Sequence, residues 1–203
     1  MARSRDISKV LSSNSTLATD AEVAASYLTT ASANALYAPA SAGGLVLINS
    51  TSFSEQSSVN INNVFSSTYE SYRIIVEATA ANNANVFFRF RSVTTDLSTS
   101  YYGGGLLYET NGTFTSSGAR NNGTEIMIQQ STHGGGPLAL SIFDVYGMNS
   151  ATHQVVGFNQ SPYSGVGRSF AYMTTNGGTR DGFVVFASTG TISGKVTIYG
   201  YKK

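Results

Sequence analysis

From residue 45 onward the apolar residues of this chain recur with a period of two, and this feature most constrains the fold. In the stretch VFFRFR, Val86, Phe88 and Phe90 share one face of a predicted strand, opposite Arg89 and Arg91. Glycine-rich turn signals separate such stretches, at 103–105, 111–112, 122–123, 134–136 and 176–178. Strands punctuated by turns, with no helix between them, predict a mainly β fold: an antiparallel, jelly-roll-like β-sandwich.

The strand pattern can be followed to the end of the chain. Predicted strands cover 45–49, 59–65, 72–78, 84–93, 101–109, 125–130, 138–146, 153–159, 168–174, 182–187 and 194–201. Most phenylalanines are expected in the core, namely Phe88, Phe90, Phe143, Phe170, Phe183 and Phe186.

The first 38 residues have a different pattern, in which apolar residues are spaced three or four apart within short runs. Thr19 and Glu22 have the spacing of a capping box, and Pro39 ends the last run. The sequence therefore predicts a helical anchoring and oligomerisation segment at 1–38, a linker at 39–44 and the β-sandwich at 45–203. A linker with only local helical propensity is the alternative.

The apolar stripe of this segment is too narrow to form a core, so it needs a partner. Attachment to another protein is assigned to Ile7, Val10 and Leu11. Contacts between copies are assigned to Val23, Tyr27, Leu28, Leu36 and Tyr37.

Few residues are charged: 11% of the chain, with a formal net charge of +1. Soluble domains have about 25%, so the surface must be covered mainly by neutral polar residues. The small net charge argues against nucleic acid or an anionic membrane as partner. The chain has no cysteine, which excludes disulfides and thiolate chemistry.

No set of residues has the spacing of a catalytic or metal site. His133 and His153 have neither an HxH nor an HxxxH arrangement, so no metal or other cofactor is expected. Sugar cleavage needs two carboxylates about 5 to 9 Å apart, and Glu70 with Glu77, or Asp144, are the acids considered for it. Solvated or ion-paired carboxylates are the simpler interpretation, and the chain is predicted not to be an enzyme.

Tyrosines beside glycine-rich stretches are the candidate receptor or glycan contacts. Tyr101, Tyr102 and Tyr108 flank the glycines at 103–105, and Tyr163 follows Pro162. Exposed tyrosine rings stack on sugars or contact proteins. Strand-edge packing or a subunit interface is the alternative explanation.

Two parts of the sequence resemble a known class of proteins. ARSRDISKVL and SSNSTLATDAEVAASYLTTASANALYA, at 2–38, are similar to N-terminal segments of bacteriophage tail-fibre and related virion proteins, especially those of cyanophages. VNINNVFSSTYESYRIIVEA at 59–78 and TISGKVTIYGYKK at 191–203 resemble the sandwich domains that close such proteins. Unlike a long fibre, this chain has no shaft between the two parts.

The resemblance implies a virion structural protein, assembled in the host cytoplasm and exposed on the particle surface. Its N-terminal segment would bind other virion proteins of the tail or capsid, with Ile7, Val10 and Leu11 as the virion-anchoring residues. Its sandwich would be displayed as a homotrimer, in contact with a host glycan or protein. A short tail fibre or appendage is the first interpretation. A capsid decoration or head-fibre protein, and a glycan-cleaving or glycan-binding appendage domain, are the alternatives.

Overall fold

A computed structural model describes residues 44–81, 84–108, 112–129, 139–150, 152, 154–157 and 167–202. The chain divides into two compact units, Met1–Ala42 and Gly43–Lys203. The predicted helical segment and its anchoring and oligomer residues lie outside the described residues. So do Tyr163, His133 and His153.

The second unit is built from β-strands. They are β1 (Leu45–Gln56), β2 (Ser58–Ile61), β3 (Ser71–Ala80), β4 (Val86–Ser92), β5 (Thr95–Asp96), β6 (Tyr101–Tyr108), β7 (Phe114–Gly123), β8 (Ile126–Gln129), β9 (Ala139–Tyr146), β10 (Gln154–Val156), β11 (Gly167–Thr174), β12 (Gly182–Ala187) and β13 (Ile192–Tyr201). No helix among the described residues is long and apolar enough to cross a membrane.

These strands form two antiparallel sheets. The large sheet has eight strands in the order β1-β13-β3-β9-β10-β11-β6-β7. The small sheet has five, in the order β2-β12-β4-β5, with β8 also paired to β4. The mainly β, antiparallel prediction is confirmed.

The strand order of the small sheet corresponds to that of half of the large sheet. β1, β13, β3 and β9 are neighbours in the large sheet, and β2, β12, β4 and β8 are neighbours in the small sheet. Each strand of the first set is joined along the chain to the strand at the same place in the second set. Four connections between the sheets therefore join strands at matching places, and these places have the same order in both sheets.

One hydrophobic core lies between the two sheets, because inward-facing residues alternate along the strands of both. Phe88 of β4 is fully buried, and its ring lies 5.4 Å from that of Phe143 on β9 and 5.0 Å from that of Phe183 on β12. Edge-to-face and offset ring pairs of this kind add stability beyond the buried area. The predicted inward set Val86, Phe88 and Phe90 is confirmed.

Polar contacts also join the sheets. The Ser141 hydroxyl of β9 donates to the Ile128 carbonyl of β8 at 3.0 Å. The Gln129 side-chain amide donates to the Ala139 carbonyl at 3.0 Å. Because these groups are buried, each needs such a partner to avoid a desolvation cost.

Some sequence predictions are wrong in detail. The two-residue strand β5 and the ten-residue strand β7 were not predicted. The glycines at 103–105 lie inside β6 rather than in a turn. Phe186 is only partly buried, because its ring faces outward, 5.6 Å from Phe87 and beneath the Arg89 guanidinium. The turn at 111–112 agrees with a φ of 80° at Gly112, between β6 and β7.

Candidate functional site

A row of apolar and aromatic residues crosses the outer face of the large sheet. Directly paired residues on neighbouring strands lie on the same face. Tyr146 of β9 is paired with Val155 of β10, Val155 with Met173 of β11, and Met173 with Tyr102 of β6. We call Tyr146, Val155, Met173 and Tyr102 the outer row.

The side chains of the outer row are accessible. Tyr146 is 43% exposed, Val155 40% and Met173 38%, and Tyr102 is half-buried. Outer faces of antiparallel sheets in contact with water usually carry polar residues. A run of accessible apolar side chains in register is instead typical of a contact surface.

The line of directly paired residues that contains the outer row continues across the sheet toward β1. Tyr146 is paired with Ser71 of β3, and Leu45 of β1 is paired with Tyr201 of β13. Leu45 is also exposed. This position therefore carries apolar or aromatic residues on most strands from β1 to β6, and no charged residue.

The next position on the outer face contains an ion pair. The Arg73 guanidinium contacts both carboxylate oxygens of Asp144 at 2.9 Å, and the Tyr201 hydroxyl donates to Asp144 at 2.9 Å. Arg73 also lies over the Tyr201 ring. The hydrogen bond to Asp144 raises the pKa of Arg73. Partial burial, and then the bond to Asp144, raise the pKa of Tyr201 to about 12. This cluster is neutral overall.

The structure places Tyr101 on one face of β6 and Tyr102 and Tyr108 on the other. Tyr101 is fully buried, and its hydroxyl accepts a hydrogen bond from the Phe90 amide at 2.9 Å. Burial raises the pKa of its hydroxyl. Its side chain cannot reach a surface ligand, so its assignment as a receptor contact is wrong. Tyr102 and Tyr108 are half-buried and lie on the opposite, outer face of β6.

A second aromatic group lies where β6 joins β7. The ring of Tyr108 is 5.3 Å from that of its strand partner Phe114, in edge-to-face geometry. Phe114 is 66% exposed. Sequence reasoning missed Phe114 because the polar strand β7 shows no apolar alternation.

A buried arginine lies near one end of the sandwich. Arg180 is 7% exposed, and its guanidinium donates to the Asn176 carbonyl at 2.7 Å. Burial lowers its pKa. Among the described residues no carboxylate forms an ion pair with it. Its hydrogen bond instead holds the loop between β11 and β12.

Two pairs of the acids considered for sugar cleavage are farther apart than that reaction requires. Glu70 precedes β3 and Glu77 lies near its far end, so about 20 Å separates them. Asp144 is opposite Arg73, four residues from Glu77 along β3, or about 13 Å. The described residues contain no group of three or more potential metal ligands.

Neither protein-family models nor curated proteins match this sequence. The geometry therefore carries the functional argument. Sequence reasoning proposed Tyr102 and Tyr108 as contact residues but missed the other three members of the outer row. The row forms only when four strands are placed in register.

Proposed function

We propose that this chain is a non-enzymatic structural protein of a bacteriophage virion, and that its sandwich is a jelly roll. In this proposal it is a short tail fibre or appendage, assembled as a homotrimer. The segment 1–38 anchors it to other virion proteins, and the sandwich is displayed on the particle surface for host attachment.

The observation that carries this proposal is the strand order. A jelly roll has eight strands in two sheets and is common in viral capsid proteins and lectins. The order β1-β13-β3-β9 facing β2-β12-β4-β8, with four connections that join strands at matching places in the two sheets, supports that topology. The low charge and the resemblance of both chain ends to virion proteins agree with it.

A second candidate function is glycan binding, which the pair Tyr108 and Phe114 favours. Both rings lie at the end of the β6–β7 hairpin, and Phe114 is mostly exposed. Exposed aromatic rings can stack on sugar rings, and the Tyr108 hydroxyl adds a polar group beside the Phe114 ring. Host attachment through a glycan would combine both functions in one protein.

The first experiment tests anchoring. A phage producing the chain with Ile7→Asp, Val10→Asp and Leu11→Asp should assemble particles that lack this protein. Its control carries Ser12→Asp, Ser13→Asp and Asn14→Asp, which add the same charge beside the apolar positions. Immunoblots of purified particles measure incorporation. Absence of the unmodified chain from particles would overturn the proposal.

Two further measurements separate the alternatives. Antibody labelling in electron micrographs should place the protein on the tail, and label on the capsid would favour a decoration or head-fibre protein instead. Incubation with host polysaccharide should release no reducing ends. Their release would contradict the non-enzymatic assignment.

A further inference from the structure

The outer face of the large sheet has the composition of a protein interface. Interface centres are enriched in tyrosine and methionine and depleted of charge. The outer row consists of two tyrosines, a methionine and a valine, and three of the four side chains are exposed. Leu45 and Tyr201 extend the same position to the edge of the sheet.

The charges of this face indicate which partner fits. Among the described residues near the outer row, Arg73 and Asp144 neutralise each other through two contacts of 2.9 Å. Glu70 and Lys202, beside the ends of β3 and β13, carry opposite charges. A second neutral face meets no repulsion there, whereas a strongly charged partner gains no attraction. A second copy of this chain satisfies that condition, because it presents the same neutral face.

The area of the face is close to what such a contact needs. From β1 to β6 the sheet spans six strand spacings, or about 29 Å. Three positions along the strands add about 20 Å, so the face covers roughly 600 Å². Each partner in a standard-size interface buries about 800 Å². Two such faces therefore approach the area of a stable contact.

A sugar fits the centre of this face less well than protein does. Sugar hydroxyls need hydrogen-bonding partners, but Val155 and Met173 offer none. The Tyr201 hydroxyl already donates to Asp144. Ligand sites are also usually concave, with several convergent polar groups.

We propose that the outer row binds another copy of this chain, in a contact that holds the sandwich units together. The inference rests on the proposed homo-oligomeric virion protein. Because both copies use the same face, the contact is two-fold and joins copies in pairs, so it is distinct from the contact that closes a trimer.

Substitutions in the full chain test this contact. Met173→Lys places a charge at the centre of the outer row. Val93→Lys is the matched control, because Val93 is an apolar residue that is 69% exposed in the turn between β4 and β5. Sedimentation velocity over a concentration series measures association, and circular dichroism verifies that both variants are folded. Val155→Lys serves as a second outer-row variant if Met173→Lys fails to fold.

The unmodified chain and Val93→Lys should form the same oligomer. Met173→Lys should weaken association at least tenfold, because a desolvated lysine lacks a counter-charge in the contact. A monomeric unmodified chain, or equal association of all three proteins, would refute the inference. If the unmodified chain is a monomer and a glycan binds to this face, the face is a glycan site and the inference is refuted. Incorporation into particles is measured separately, so the anchoring proposal can fail or survive independently.

Discussion

At the scale of single residues, the cluster formed by Tyr201, Asp144 and Arg73 makes stability depend on pH. The Tyr201 hydroxyl donates to a carboxylate that is already paired with a guanidinium. Its pKa is about 12 in the folded protein, above the ordinary value of 10.0. A raised pKa means that folding favours the protonated hydroxyl. This contribution is complete below pH 10.0 and is lost as the pH rises through about 12.

The variant Tyr201→Phe should therefore differ from the unmodified protein in a pH-dependent way. At pH 8 it should be less stable by about 1 kcal/mol, because it loses a hydrogen bond to a charged acceptor near the surface. That difference should shrink steadily above pH 10. Urea unfolding at pH 8, 10 and 11 measures it. A difference that stays constant over this range would contradict the assignment.

Tyr101 has a structural role that can be tested with its neighbour as control. Its hydroxyl is the acceptor for the Phe90 amide inside the core. Tyr101→Phe leaves that amide unpaired and should cost about 1–3 kcal/mol of unfolding free energy. Tyr102→Phe, on the outer face, should change it by less than about 0.5 kcal/mol. Urea unfolding of both variants is the measurement, and equal effects would contradict the burial difference.

At the scale of elements, β6 shows what sequence can and cannot predict. The strands β4 and β12 were predicted well. Buried residues alternate along most of β4, and buried residues occupy successive positions in β12. Tyr101 and Tyr102 precede three glycines, which have no side chains to indicate which face is buried. The sequence therefore could not distinguish the core tyrosine from the surface one.

The glycines of β6 are required by the close approach of β11. A Cβ atom at Gly105 would overlap the Ser169 carbonyl and the Phe170 side chain. At Gly104 the nearest atom to such a Cβ is the Ala119 Cα, 3.1 Å away. Gly105→Ala should therefore destabilise the protein by about 1–3 kcal/mol through overpacking, and Gly104→Ala by clearly less. Thermal unfolding compares the pair, and the reverse ranking would contradict this packing.

At the scale of the whole molecule, the sequence predicted an antiparallel β fold but not the order of the strands. Alternation gives the faces of each strand, whereas pairing depends on contacts between residues far apart in the chain. The outer row illustrates this: its members come from β6, β9, β10 and β11. Local sequence pattern contains no information on their register.

The division of the chain predicts how truncation affects stability. Among the described residues, the buried core cluster lies between Val59 and Ile198, with Ile48 and Phe53 packed against it, and the two units divide at Ala42 and Gly43. A chain beginning at Gly43 should therefore keep the complete core, because packing of this core supplies most of its free energy of folding. We expect cooperative thermal unfolding of the truncated chain, with a midpoint within a few degrees of the second-unit transition in the full chain. Calorimetry on both proteins at matched concentration is the measurement. Loss of cooperative unfolding would mean that the sandwich depends on the preceding residues for its stability.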